Sequence, residues 1–200
     1  MKELFGKVIL ITGAGKGTGR ALTGQLAARG AIIAANDISP LNLDSVVNEV
    51  IAAGGQARAY VHDVAKKVAV QAMVNQVMDD FGRLDALVNC ATVEPPAPLL
   101  DLDEWDLHRV FEVNAIGTFL MMQSVGRVMR QAGSGVIVNV LKLAPEAPAS
   151  YLASRGGIAA LSQRADEEWK PYGIRVWAVS GEDAPAATLR LLEQAWNANQ

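Results

Sequence analysis

Lys7-Val8-Ile9-Leu10-Ile11-Thr12-Gly13-Ala14-Gly15-Lys16-Gly17-Thr18-Gly19 is an apolar run that breaks into a glycine-rich turn. Lys7–Thr12 reads as a strand covered on both faces, because such strands carry near-continuous rather than alternating apolar residues. A helix follows the turn and runs to Arg29. Glycines at such a junction allow a tight turn, let backbone N–H groups approach a pyrophosphate and bring helix against strand, while the helix N-terminus favours negative charge. Thr12, Gly13, Gly15, Lys16, Gly17, Thr18 and Gly19 are therefore candidates for a dinucleotide cradle.

Outward from this unit, short β-branched runs alternate with helical patterns, which argues for βαβ units around a parallel sheet. The further strands are Ala31–Asn36, Ala57–Val61, Leu84–Cys90, Val136–Leu141 and Ile174–Ser180, six in all. Ser39 and Pro40 suit the N-cap and first position of a helix ended by Gly54–Gly55. A helix from about Val64 to Phe81 stops at Gly82, and a proline-bearing loop, Glu94–Pro98, is expected to be exposed. One long helix is expected from Leu102 to Gln131, capped by Asp101 or Asp103. Another begins at Tyr151 and ends near Lys170–Pro171. Glu182–Gln200 reads as a short amphipathic helix, with Leu189, Leu192 and Trp196 on one face. The expected fold is a Rossmann-type, doubly wound α/β sheet forming a single domain over residues 1–200.

Composition narrows the function. A chain of 200 residues with 50% hydrophobic content suits one core, and a net charge of -3 offers no basic field for nucleic acid or anionic lipid. The longest uncharged segment, Val113–Gly126, is 14 residues and too short to span a bilayer, so it reads as a buried helix. A lone cysteine, Cys90, and the lack of a secretory-type apolar segment at the N-terminus suggest a cytoplasmic protein. His62 and His108 lack metal-ligand spacing, and no metal is expected. Glu94, Glu104 and Asp106 read as exposed carboxylates.

Asp37, at the end of the second strand, is placed to accept ribose hydroxyls, and its charge would repel the extra phosphate of NADP. Lys16 pulls the other way, since a cation in the glycine loop could hold that phosphate. The balance favours NAD over NADP.

The order of these motifs resembles the short-chain dehydrogenase/reductase family. Thr12, Gly13, Gly17 and Gly19 are spaced like its cofactor motif, and Asp37 falls where NAD-preferring members carry an acid. Asp63-Val64 resembles the family's adenine-contacting segment, and Asn89-Cys90-Ala91-Thr92 resembles its Asn-Asn-Ala-Gly segment. Asn114 resembles the helix Asn that supports a proton relay. Tyr151-Leu152-Ala153-Ser154-Arg155 resembles its Tyr-x-x-x-Lys signature. The resemblance implies an alcohol or carbonyl substrate, with Tyr151 as acid/base, Arg155 and Lys142 as cationic support and Asn114 as relay anchor. Asp63, Val64, Asn89, Ala91, Tyr151 and Arg155 would join the glycine turn and Asp37 around the cofactor. It also implies a homodimer or homotetramer through the helices from Leu102 and Tyr151.

The departures point elsewhere. The family's Ser after the fifth strand is replaced by Lys142, its Lys by Arg155, and residues 181–200 stand in place of a substrate-covering segment and seventh strand. A guanidinium keeps its proton, so a relay that must release one would slow. Two readings stand at this point: an oxidoreductase on an alcohol or ketone, or a catalytically impaired dinucleotide-binding sensor or partner subunit.

Overall fold

The computed structural model describes residues 4–141, 143 and 146–197. The strands are β1 (Val8–Thr12), β2 (Ile32–Asp37), β3 (Gln56–Val61), β4 (Ala86–Asn89), β5 (Gly135–Leu141) and β6 (Ile174–Ser180). They form one parallel sheet in the order β3-β2-β1-β4-β5-β6. The helices are α1 (Gly17–Ala28), α2 (Pro40–Ala52), α3 (Lys67–Phe81), α4 (Glu104–Phe111), α5 (Thr118–Ala132), α6 (Ala149–Trp169) and α7 (Ala184–Asn197).

Every residue of β1 is buried, as a strand covered on both faces demands. Its side chains divide by the period of two. Ile9 and Ile11 pack with Leu22 and Leu26 of α1, Leu43 of α2 and Leu192 of α7, whereas Val8 and Leu10 pack with Met73 of α3, Met129 of α5 and Ala165 of α6. Strand order reverses between β1 and β4, and in open α/β sheets a ligand crevice lies at such a switch point beyond the C-terminal strand ends.

Several boundaries differ from the sequence reading. The third helix starts at Lys67 rather than Val64, because the Asp63 carboxylate accepts the Ala65 N–H at 2.9 Å and holds a turn there. The long helix starts at Glu104 rather than Leu102, with Asp103 as its N-cap accepting from Trp105 N–H at 2.7 Å. It is also not uniform: a π-helical turn, Glu112–Gly117, separates α4 from α5. The fourth strand is shorter than expected, the capping of α2 by Ser39 is as expected, and Pro96 and Pro98 are exposed.

The last helix, α7, follows β6 after three residues, Gly181–Asp183. It docks through Leu189 and Leu192, whose burial stabilises by about 1.5–3 kcal/mol each. An ion pair from Arg29 to Glu193 at 2.7 Å and a cation–π contact from Lys7 to Trp196 at 5.2 Å edge the same interface.

Candidate functional site

A crevice of about 500 Å³ opens over the C-terminal ends of β1, β2 and β4. Its floor is the glycine turn. Gly13 has φ +63°, and a Cβ there would meet the Ala91 Cα at 2.7 Å; a Cβ on Gly19 would collide with the Gly13 carbonyl. The turn can pack this closely against the exit of β4 and the start of α1 only because these side chains are missing. Lys16 forms the N-cap of α1 without a side-chain cap bond, which leaves the first-turn N–H groups as donors for an anion.

Asp37 stands beside the turn, almost buried. One carboxylate oxygen accepts the Gly15 N–H at 2.9 Å and the other the Ser39 N–H at 3.0 Å. Each oxygen keeps a further lone pair for a hydroxyl. Asp63 accepts from Ala65 and lies 3.5 Å from Arg109, and Val64 closes the wall beside it.

The opposite wall is built from α6 and the π-helical turn. Tyr151 and Arg155 are both 1% exposed and both line the crevice. Arg155 is therefore no solvated helix charge. Its guanidinium donates to the Ala91 carbonyl at 2.7 Å and the Asn114 carbonyl at 3.4 Å and lies 5.7 Å from the centre of the Tyr151 ring. Its Nε–H is buried and has no hydrogen-bond partner among the described residues. Burial lowers the affinity of Arg155 for its proton, while the neighbouring Tyr151 acts in the opposite sense. Burial also pushes the Cys90 thiol up to about 12, so the one cysteine is a poor nucleophile.

Gly13, Lys16, Gly17, Thr18, Gly19, Asp37, Asp63, Val64, Ala91, Tyr151 and Arg155 all border this space. Thr12, Gly15, Asn89 and Asn114 sit behind it. The Thr12 hydroxyl accepts the Cys90 and Ala91 N–H groups at 3.2 Å each, and the Asn89 amide donates to Asn139 at 2.8 Å. Asn114 uses its side chain on Thr92, Val93 and Ser154, which fastens the π-helical turn to the exit of β4. Lys142 lies outside the described residues. Ile38, His62, Thr92 and Arg109 also border the crevice. Of these, the sequence reading notes Thr92, within the Asn89–Thr92 segment, and His62, only as lacking metal-ligand spacing, while it misses Ile38 and Arg109. Among the described residues no group of three His, Cys, Asp or Glu side chains could hold a metal, and no helix is long and apolar enough to cross a membrane.

The glycine cradle, the uncapped helix terminus and the acid at the end of β2 fit a dinucleotide, and comparison with known proteins agrees. Residues 7–188 match the short chain dehydrogenase family. The chain belongs to that family. D-threitol dehydrogenase of Mycolicibacterium smegmatis is 37% identical over 202 residues, covering 98% of this chain and 75% of its own length. The structure of an NAD+-bound xylitol dehydrogenase aligns with a TM-score of 0.85 at 37% identity, over 88% of this chain and 70% of its own. A metagenomic short-chain oxidoreductase in complex with NADP gives a TM-score of 0.90 at 30% identity, over 96% and 93%. These short-chain dehydrogenase relatives support the coarse function of an NAD(P)-dependent oxidoreductase.

Proposed function

We propose that this short-chain dehydrogenase binds NAD(H) in preference to NADP(H) and interconverts an alcohol and a ketone slowly, with Tyr151 as its acid/base. The observation that carries the reading is the pairing of Tyr151 with Arg155 on the crevice wall facing the glycine turn. Gly13, Gly17 and Gly19 would hold the pyrophosphate against the start of α1, Asp37 the adenosine ribose, and Asp63 and Val64 the adenine side. When bound, the nicotinamide supplies or accepts the hydride at the reacting carbon.

In the direction of reduction, the Tyr151 O–H donates its proton to the substrate oxygen as that oxygen becomes a hydroxyl. The Arg155 guanidinium stabilises the phenolate left behind. Tyr151 must then be reprotonated, and Arg155 is a poor source, since a guanidinium holds its proton and this one is engaged with two backbone carbonyls. Lys142, at the place of the family's Ser, brings a further cation but no hydroxyl. These features support slow turnover. They also give the rival reading its basis: a dinucleotide-binding protein whose chemistry has been lost.

The substrate is a small alcohol or ketone. The three-residue link from β6 to α7 supports a crevice without the usual covering segment, in one dinucleotide-binding domain. The exposed Phe111, Ile116 and Phe119, with mid-helix Gly156 and Gly157 facing open space, support a homodimer or homotetramer through α4, α5 and α6. The lone Cys90 supports a cytoplasmic location.

Steady-state NADH oxidation with a panel of ketones tests the chemistry. Slow turnover that disappears in Tyr151→Phe, with NADH binding retained, is the expected result. Turnover unchanged in Tyr151→Phe would remove Tyr151 from the mechanism. No turnover despite NADH binding would favour the binding-only reading.

A further inference from the structure

We propose that Asn139 and Ser162, neither of which borders the crevice, are positioning residues that couple the glycine turn to the helix carrying Tyr151 and Arg155. The proposal rests on the reading of that turn as the dinucleotide site. Thr12, Asn89 and Asn139 lie side by side at the C-terminal ends of β1, β4 and β5, in register across the sheet. Their side chains are 1%, 2% and 0% exposed, so each must find its partners within the protein.

The partners form a chain in which every donor points the same way. The Thr12 hydroxyl donates to Asn89 Oδ1 at 3.5 Å, Asn89 Nδ2 to Asn139 Oδ1 at 2.8 Å, and Asn139 Nδ2 to Ser162 Oγ at 2.8 Å. The Ser162 hydroxyl ends the chain on the Ile158 carbonyl at 2.6 Å. That carbonyl belongs to α6, three residues beyond Arg155. From Arg155 the path returns, because its Nη2 donates to the Ala91 carbonyl at 2.7 Å and the Ala91 N–H donates to Thr12 Oγ1 at 3.2 Å.

The result is a closed circuit through β1, β4, β5 and α6. Bonds aligned head to tail in a dry interior polarise one another, and a break at one member leaves the next donor or acceptor unsatisfied. A shift of α6 is thereby felt at Thr12, next to Gly13, and a shift of the glycine turn is felt at Arg155. Ser162 and Asn139 close the half of the circuit remote from ligand.

The test compares two buried hydroxyls that make the same local bond. Thr188 donates to the Ala184 carbonyl within α7 at 2.8 Å, as Ser162 does to Ile158 within α6, but Thr188 lies outside the circuit. NADH is titrated calorimetrically, well below the melting temperature, into wild type, Ser162→Ala and Thr188→Ala. Amide exchange is followed at Ala91 and Cys90 in the unliganded proteins. Ser162→Ala should weaken NADH binding about fivefold, the equivalent of one lost hydrogen bond, and speed exchange at Ala91 and Cys90. Thr188→Ala should lower the melting temperature and change neither. If Ser162→Ala also changes only the melting temperature, with exchange at Ala91 and Cys90 as in wild type, the coupling does not exist. Should wild type itself bind no dinucleotide, the cofactor reading fails separately and the exchange arm still decides the coupling. Asn139→Leu orphans both neighbours and risks misfolding, so the loss of one hydroxyl at Ser162 is the sharper variant.

Discussion

The two walls of the crevice are built on opposite plans. On the glycine side, no side chain caps the first-turn N–H groups of α1, and the turn folds tightly because Gly13 and Gly19 lack the side chains that would strike Ala91 and the Gly13 carbonyl. On the α6 side, Asn114, Ser154, Arg155 and Thr92 spend their polar groups on one another and on backbone carbonyls. The start of α1 offers donors to a ligand; the α6 wall has spent most of its polar groups within the protein, the buried Arg155 Nε–H excepted. A wall prepared for binding needs only space and donors, whereas a wall prepared for proton transfer needs groups free to gain and lose protons. On this contrast the proposed chemistry is expected to be slow.

The largest break in this comparison is a side chain at Gly13. Gly13→Val combines a left-handed backbone with a Cβ pressed on Ala91, and should cost about 3–5 kcal/mol of stability. Thermal melts should show it, together with loss of dinucleotide binding; a near-native melt with intact binding would mean that the close approach is not structural.

Restoring the family's proton chemistry is the next step down. Lys142→Ser combined with Arg155→Lys should raise turnover by about 10²-fold if the proton chemistry of the α6 wall is the main defect. Steady-state rates that stay at the wild-type level would shift the defect to the open crevice, where water reaches the reacting carbon.

The smallest effect concerns the far end of α6, where Asp166 pairs with Arg175 at 2.8 Å. Burial pushes the Asp166 carboxyl up, but hydrogen bonds from Arg175 and the Val176 N–H, with the charge of Arg175, outweigh it and leave it below the usual range. A carboxylate held low stabilises the folded state above its unfolded value of about 4, and that stability is lost as pH falls through the folded value. Asp166→Asn should therefore cost about 1 kcal/mol or less at pH 7, with the gap to wild type closing below about pH 4. Denaturation midpoints measured across that range would show a constant gap if the pair does not titrate.

How legible each wall was in the sequence follows from the same contrast. The sheet and the glycine turn announce themselves because β1 and β5 are buried from end to end and because Gly13 and Gly19 occupy positions no other residue fits. The π-helical turn at Asn114 leaves no periodic trace, since long-range bonds to Thr92, Val93 and Ser154 hold it in place. Arg155 looks like a surface charge until α6 is packed against the π-helical turn and its guanidinium reaches the Ala91 carbonyl. Asn139 sits inside an apolar run, Val136–Leu141, where a polar residue carries no label of its partner. Asp63 was legible as an acid after the third strand, but its hold on Ala65, which delays α3, was not.

The crevice is proposed as a dinucleotide site whose preference Asp37 sets. Calorimetric titration of NADH and NADPH into wild type and Asp37→Ala tests it most directly. The account predicts that wild type binds NADH at least about tenfold more tightly than NADPH, and that Asp37→Ala loses this preference chiefly by weakening NADH. Tighter binding of NADPH by wild type, or no binding of either dinucleotide at millimolar concentration, would contradict it.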